Sequence, residues 1–194
     1  MAQYILDLRQ NYRVFFLPCA FRKDKILFAS NKHRLEMLKI SIEKYFRINP
    51  LIIDSSKDTH DDRLVSDLVI DKMEIANSDV MIPTSEILKQ FDKSYSNHEN
   101  YMMIGTDILN SITEWEEYAT VLKPRKFIVF DRDAHSNEEE AKKKVLSILP
   151  NSIYIHKVTT PEISSSKIRL ALGSNKSLSR KKLELKKYTL LSVI

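Results

Sequence analysis

The stretch YMMIGTDILNSITEWEEYATVLKPRKFIVF, Tyr101–Phe130, carries the pattern that decides the fold. An apolar run, NYMMI over Asn100–Ile104, stops at Gly105, and a second, FIVF, fills Phe127–Phe130. Between them Ile108–Leu122 reads as helical in two pieces, broken near Thr113. Two short buried strands joined by a helical crossover of this length run parallel, because a tight hairpin cannot connect them.

The same alternation continues on both sides. Upstream, Ala2–Gln10 reads as a short helix, and Arg13–Leu17 (RVFFL) as a strand ended by Pro18. Asn31–Phe46 is the clearest helix, with Leu35, Leu38, Ile42 and Tyr45 at helical spacing and Lys or Glu between them. Leu51–Ile53 is a strand, Asp54–Asp62 a polar loop, Leu64–Ile70 a strand, and Thr84–Phe91 a helix with Thr84 as its cap after Pro83. Downstream, Asn137–Leu149 is a charged helix and Ser152–Ile155 a last strand. Ser165–Leu172 reads as a helix capped by serine and closed by Gly173, and a lysine-rich helix follows from about Leu178. Strands alternating with helices predict an α/β protein, a parallel sheet with helices on both faces. The organisation is one domain over 1–175 and a basic tail over 176–194.

Composition narrows the chemistry. The 194 residues hold two glycines, Gly105 and Gly173, where about thirteen are ordinary. Neither G-x-x-x-x-G-K-[ST] nor G-x-G-x-x-G can be written from them, which disfavours P-loop and ordinary dinucleotide-binding sites. A single cysteine, Cys19, excludes an intramolecular disulfide framework and a cysteine zinc site and predicts a reducing, intracellular setting, in cytoplasm or nucleus. The longest uncharged stretch, Val145–His156, is too short for a membrane span and contains Pro150. The opening MAQYILDLRQNYR lacks the basic-then-apolar order of a secretion signal. The net charge of +5 favours an anionic partner, and its excess lies late, from Lys167 to Lys187. No H-E-x-x-H, no Gly-x-Ser-x-Gly elbow and no nucleic-acid recognition signature is present.

Ligands of parallel sheets sit at the carboxyl ends of the strands, which directs attention to Pro18–His33, Gly105–Trp115, Asp131–Ala134 and Pro161–Arg169, and three of these regions carry the clearest chemistry. In PEISSSKIR, Pro161–Arg169, serines precede a helix. Their hydroxyls and the first-turn amides can bind an anion that Arg169 also reaches, or they can simply cap a surface helix. In Tyr101–Trp115, Gly105 leaves room at a strand end, and Asp107 either caps the next helix or accepts hydrogen bonds from a ribose or base. Trp115, the only tryptophan, either stacks on a ligand ring or fills the core. In Pro18–Arg34, a loop with Arg22, Lys23 and Lys25 precedes His33–Arg34 and is either a phosphate contact or a solvated loop.

In this order the segments resemble the nicotinamide/nicotinate mononucleotide adenylyltransferases of the nucleotidyltransferase superfamily, over roughly Ala2–Leu172. ISSSKIR (Ile163–Arg169) is similar to the family's I-S-S-T-x-I-R signature, and MIGTDILNSITEWEEY (Met103–Tyr118) to its G-x-D-x-L…W segment. FLPCAFRKDKILFASNKHRLEML (Phe16–Leu38), MIPTSEILKQF (Met81–Phe91) and FIVFDRD (Phe127–Asp133) resemble further segments in the same order. The resemblance implies a Rossmann-like sheet and adenylyl transfer from ATP, with Mg²⁺, to nicotinamide or nicotinate mononucleotide in NAD biosynthesis. It implies that Ser165, Ser166 and Arg169 bind the ATP phosphates. It places Gly105 and Asp107 at the nucleotide, Trp115 on the pyridine ring, Lys25 near a phosphate, Thr84 at the pyridine pocket and Arg132 at the substrate. ATP and the mononucleotide are the implied partners, with no nucleic acid and no membrane.

The family's N-terminal H-x-G-H has no counterpart here, since no histidine precedes His33, so no catalytic residue is assigned. The expectation is a sheet that lacks its first central strand. Two other readings use the same residues: a non-catalytic nucleotide-binding relative, and a nucleotidyltransferase for another phosphate acceptor.

Overall fold

The computed structural model describes residues 1–8, 12–20, 29–55, 57, 67–77, 82–131 and 137–156. They fall into two compact units, one within 2–77 and one within 82–156. Each unit is built on a three-stranded sheet, and every strand pairing in both is parallel.

The first unit begins with helix α1, Ala2–Asp7, followed by strand β1, Val14–Phe16. Helix α2 spans Asn31–Phe46, the range that the apolar spacing predicts. Ser30 caps it, accepting from the His33 amide at 3.4 Å and lying 2.8 Å from His33 Nδ1. Its buried stripe is Arg34, Leu38, Ser41 and Ile42, whereas Tyr45 is 54% exposed and meets Phe46 edge-on. Strands β2, Leu51–Ile53, and β3, Leu68–Asp71, complete the sheet in the order β1-β3-β2. β3 is central and buried at every position, as expected for an apolar run covered on both sides by its neighbours. The start of the predicted Leu64–Ile70 strand and most of the Asp54–Asp62 loop lie outside the described residues.

The second unit opens with helix α3, Thr84–Ser94. Its N-cap is Pro83 and no side chain caps it, so Thr84 is the first helical residue and not the cap expected from its hydroxyl. Strand β4 is Met102–Gly105, β5 is Phe127–Phe130 and β6 is Ser152–Ile155, in the order β4-β5-β6. Helix α4, Glu138–Ile148, connects β5 to β6. Asn137 caps it through the Glu139 and Glu140 amides, at 3.1 and 3.5 Å.

The crossover from β4 to β5 differs from the two-piece helix expected. It consists of 3₁₀ turns at Thr106–Ile108 and Ile112–Glu114 and a π turn at Tyr118–Leu122. The break falls at Trp115–Glu117, where Trp115 is extended and Glu117 is left-handed at φ 56°. These single turns wrap a core made of Ile104, Leu109, Ile112, Leu122, Phe127, Val129, Val145 and Leu149. Tyr118 fastens the wrap by donating its hydroxyl to the Ile148 carbonyl at 2.6 Å. The predicted helices at Ser165–Leu172 and beyond Leu178 lie outside the described residues.

Candidate functional site

The carboxyl end of the second sheet holds a connected polar arrangement. β4 ends at Gly105, which is buried and pairs in register with Phe130. Gly105 has φ −90° and ψ 161°, a conformation open to any residue. Its value at this edge is therefore the missing side chain, not backbone freedom. Thr106–Ile108 then turns the chain outward and leaves Asp107 exposed. Asp107 sits inside this 3₁₀ turn, whose N-cap is Gly105 with no side-chain cap bond.

Beside this turn lies Asp131, the residue directly after β5 and 3% exposed. Its Oδ2 accepts from the Tyr154 hydroxyl at 2.7 Å and lies 3.0 Å from His156 Nδ1. Its Oδ1 is 3.5 Å from Thr106 Oγ1. The other ring nitrogen of His156, Nε2, faces Glu138 Oε2 at 3.8 Å. Sequence reading reaches Asp131 only as the first residue of a strand-end segment, and singles out neither Tyr154 nor His156. The available signal was a carboxylate placed immediately after a fully apolar strand, followed by Tyr-x-His at the end of the next.

Helix starts near this edge differ in what they can hold. The first turn of α4 carries Glu138, Glu139 and Glu140 over an asparagine cap, which fills the amides and repels anions. It is not a phosphate site. Trp115 is half-buried against the core, as is Leu88 of α3. The Trp115 amide donates to the Ile112 carbonyl at 3.1 Å. Thr84, also half-buried, begins α3. Gly105, Asp107 and Trp115 thus stand on one crossover around one core.

The first sheet's carboxyl end is organised by backbone-binding carboxylates. Asp71 Oδ1 accepts from the amides of Ser55 at 3.1 Å and Met73 at 3.0 Å. Glu74 Oε1 accepts from the Ala20 amide at 2.8 Å. Arg34, read from sequence as part of a basic segment, is buried and donates to the Cys19 carbonyl and to Asn31 Oδ1. It braces the strand exit and does not face solvent. Lys25, Arg132, Ser165, Ser166 and Arg169 lie outside the described residues. Among the described residues no group of three or more His, Cys, Asp or Glu side chains could hold a metal ion. No helix among them is long and apolar enough to cross a membrane.

A parallel sheet with a short-turned polar edge of this kind is an architecture for nucleotide chemistry, and comparison with known proteins makes the class specific. The model of the cytidylyltransferase-like family matches residues 8–171. A probable nicotinate-nucleotide adenylyltransferase of Caldicellulosiruptor bescii is 27% identical over 183 residues, 92% of this chain and 80% of that protein. Another, from Pseudoalteromonas atlantica, is 30% identical over 176 residues, 84% of this chain and 71% of that protein. The Plasmodium falciparum nicotinic acid mononucleotide adenylyltransferase complexed with NaAD shares the fold, with a TM-score of 0.66. It is 22% identical, with 97% of this chain and 84% of that one covered. The chain belongs to the cytidylyltransferase-like family, as a relative of its nicotinate-nucleotide adenylyltransferases. It is a nucleotidyltransferase by that membership, on a Rossmann-like parallel fold.

Proposed function

We propose that this chain transfers the adenylyl group of ATP to nicotinate mononucleotide, giving the dinucleotide and pyrophosphate. The observation that carries the reading is the Gly105–Asp107 turn at the carboxyl end of β4, in a chain whose relatives bear that activity in their names. An oxygen of the mononucleotide 5′-phosphate forms a bond to the α-phosphorus of ATP. The bond from that phosphorus to the α,β-bridging oxygen breaks, and its electron pair leaves with pyrophosphate. No protein nucleophile is required, so the chain's work is positioning and charge compensation.

Each residue then has a place in that displacement. Ser165, Ser166 and Arg169 hold the ATP phosphates, and Lys25 the phosphate of the mononucleotide. Gly105 lets the nucleotide approach the backbone, and Asp107 accepts from a ribose or base. Trp115 stacks on the pyridine ring, Thr84 lies at the pyridine pocket, and Arg132 contacts substrate. Mg²⁺, implied by the resemblance, would neutralise charge on the ATP phosphates, and no group of three or more His, Cys, Asp or Glu side chains among the described residues could hold it.

The test incubates the purified chain with ATP and either nicotinate or nicotinamide mononucleotide, and measures dinucleotide and pyrophosphate. Equal amounts of both products, with nicotinate preferred, are expected. Binding of ATP and mononucleotide without turnover would instead establish the non-catalytic reading. Turnover only with another phosphate acceptor would reassign the substrate.

A further inference from the structure

Asp131 gathers hydrogen bonds from both strands that flank its own. Tyr154 and His156 come from the end of β6 and the residue beyond it, and Thr106 from the turn after β4. Its own amide donates to the Ile155 carbonyl at 2.9 Å, which extends the β5–β6 pairing by one step. The Tyr154 and Thr106 hydroxyls donate to the Asp131 carboxylate, and His156 Nδ1 lies within hydrogen-bond distance of it. His156 Nδ1 also lies 3.3 Å from the Tyr154 hydroxyl, and Nε2 faces Glu138 Oε2 at 3.8 Å.

Stability alone does not ask for this arrangement. The Asp131 and His156 side chains are 2% and 8% exposed, and a valine would continue the apolar FIVF run at lower desolvation cost. What a buried polar hub supplies is one defined geometry. The backbone ladder between β4 and β5 ends at Gly105 and Phe130. Beyond it, the Asp131–Thr106 contact carries the connection forward by side chains.

We infer that Asp131 is a positioning residue of the nucleotide site, holding the Gly105–Asp107 turn against the end of β6 through Thr106, Tyr154 and His156. This rests on the reading of that turn as nucleotide-contacting. Asp131 acts through Thr106 and touches no substrate.

The test compares the full chain with Thr106→Val, Thr106→Ser, Asp131→Ala and the Thr106→Val/Asp131→Ala pair. ATP and nicotinate mononucleotide are titrated separately by calorimetry, and kcat, KM and Tm are measured. Thr106→Val should weaken binding of one nucleotide about tenfold, the scale of one lost hydrogen bond, and raise its KM equally while kcat holds. Thr106→Ser should restore both. The pair should be no weaker than Asp131→Ala alone, because both changes cut the same tie. Wild-type affinity in Thr106→Val, or a loss that Thr106→Ser does not repair, overturns the inference. If the wild type binds both nucleotides without turnover, catalysis by the chain is refuted and the affinities still decide the role of Asp131. If it binds neither, both fall.

Discussion

Arg125 grips Asp92 with two parallel hydrogen bonds, Nη1 to Oδ2 at 2.6 Å and Nη2 to Oδ1 at 2.5 Å. The pair joins the last turn of α3 to the second residue before β5, and so sets where the helix lies along the sheet. The Arg125 side chain is 8% exposed and that of Asp92 is 45% exposed. Burial pulls the guanidinium below its ordinary pKa, and Asp92 opposes that pull. Removing the carboxylate leaves a buried cation with only the Leu88 carbonyl, 3.4 Å from Nη2, to replace it. Asp92→Ala should therefore cost roughly 2 kcal/mol, between the limits for exposed and buried pairs. Arg125→Met in the same background should recover part of that loss in urea unfolding, since it removes the stranded charge.

Lys89 and Glu117 form a second tie between α3 and the crossover. Lys89 Nζ lies 2.7 and 2.8 Å from the two carboxylate oxygens. The hydrogen bond to Glu117 raises the Lys89 pKa, and the same bond lowers that of Glu117. The depressed carboxyl contributes stability above its unfolded value and loses it as the pH falls through its folded value. The raised ammonium contributes stability below its unfolded value and loses it as the pH rises through its folded value. The pair should thus stabilise the fold between about pH 4 and pH 10. Glu117→Gln should lower Tm at neutral pH and converge on the wild type at acid pH. Both groups are partly exposed, so 1 M salt should shrink the neutral-pH difference.

Arg47 ends α2 in the left-handed region, at φ 58° and ψ 31°. A β-carbon is strained there, and glycine is the usual resident of such a helix end. Arg47→Gly should stabilise the first unit by about 1 kcal/mol, the steric cost of one left-handed residue. A chemical denaturation midpoint that falls would show that the arginine side chain contributes more than its backbone costs.

These ties mark where sequence reading ends. Leu51–Ile53, Phe127–Phe130, Ser152–Ile155 and Asn31–Phe46 were legible to the residue, because each is an apolar run or stripe bounded by breakers or caps. Ile108–Leu122 was not, because its apolar spacing suits a helix equally well. What breaks it is tertiary: Leu109, Ile112 and Leu122 all turn into one core. Gly105 was legible as a strand end, since a buried run stopping at glycine needs no partner to be seen. The contacts of Asp131 with Tyr154 and His156 were not, because 23 and 25 residues separate the carboxylate from these partners. Only the register of β5 on β6 brings them together. The Arg34 contact to the Cys19 carbonyl was hidden for the same reason, the two lying 15 residues apart.

Trp115 left two readings open in the sequence, a ligand platform and a core filler, and its position permits both. One part of the indole packs on the core with Leu88 and Tyr118, and the residue is only half-buried. Trp115→Phe keeps an aromatic ring against the core and shortens the stacking surface. Trp115→Ala removes both. If the exposed part stacks on the pyridine ring, Trp115→Phe should raise the nicotinate mononucleotide KM about three- to tenfold, leaving the ATP KM and Tm unchanged. Trp115→Ala should raise it further and also cost roughly 2 kcal/mol of stability, below the full-burial value because the side chain is half out. Equal mononucleotide KM values in the wild type and Trp115→Phe, with Tm lost only in Trp115→Ala, would assign the residue wholly to the core.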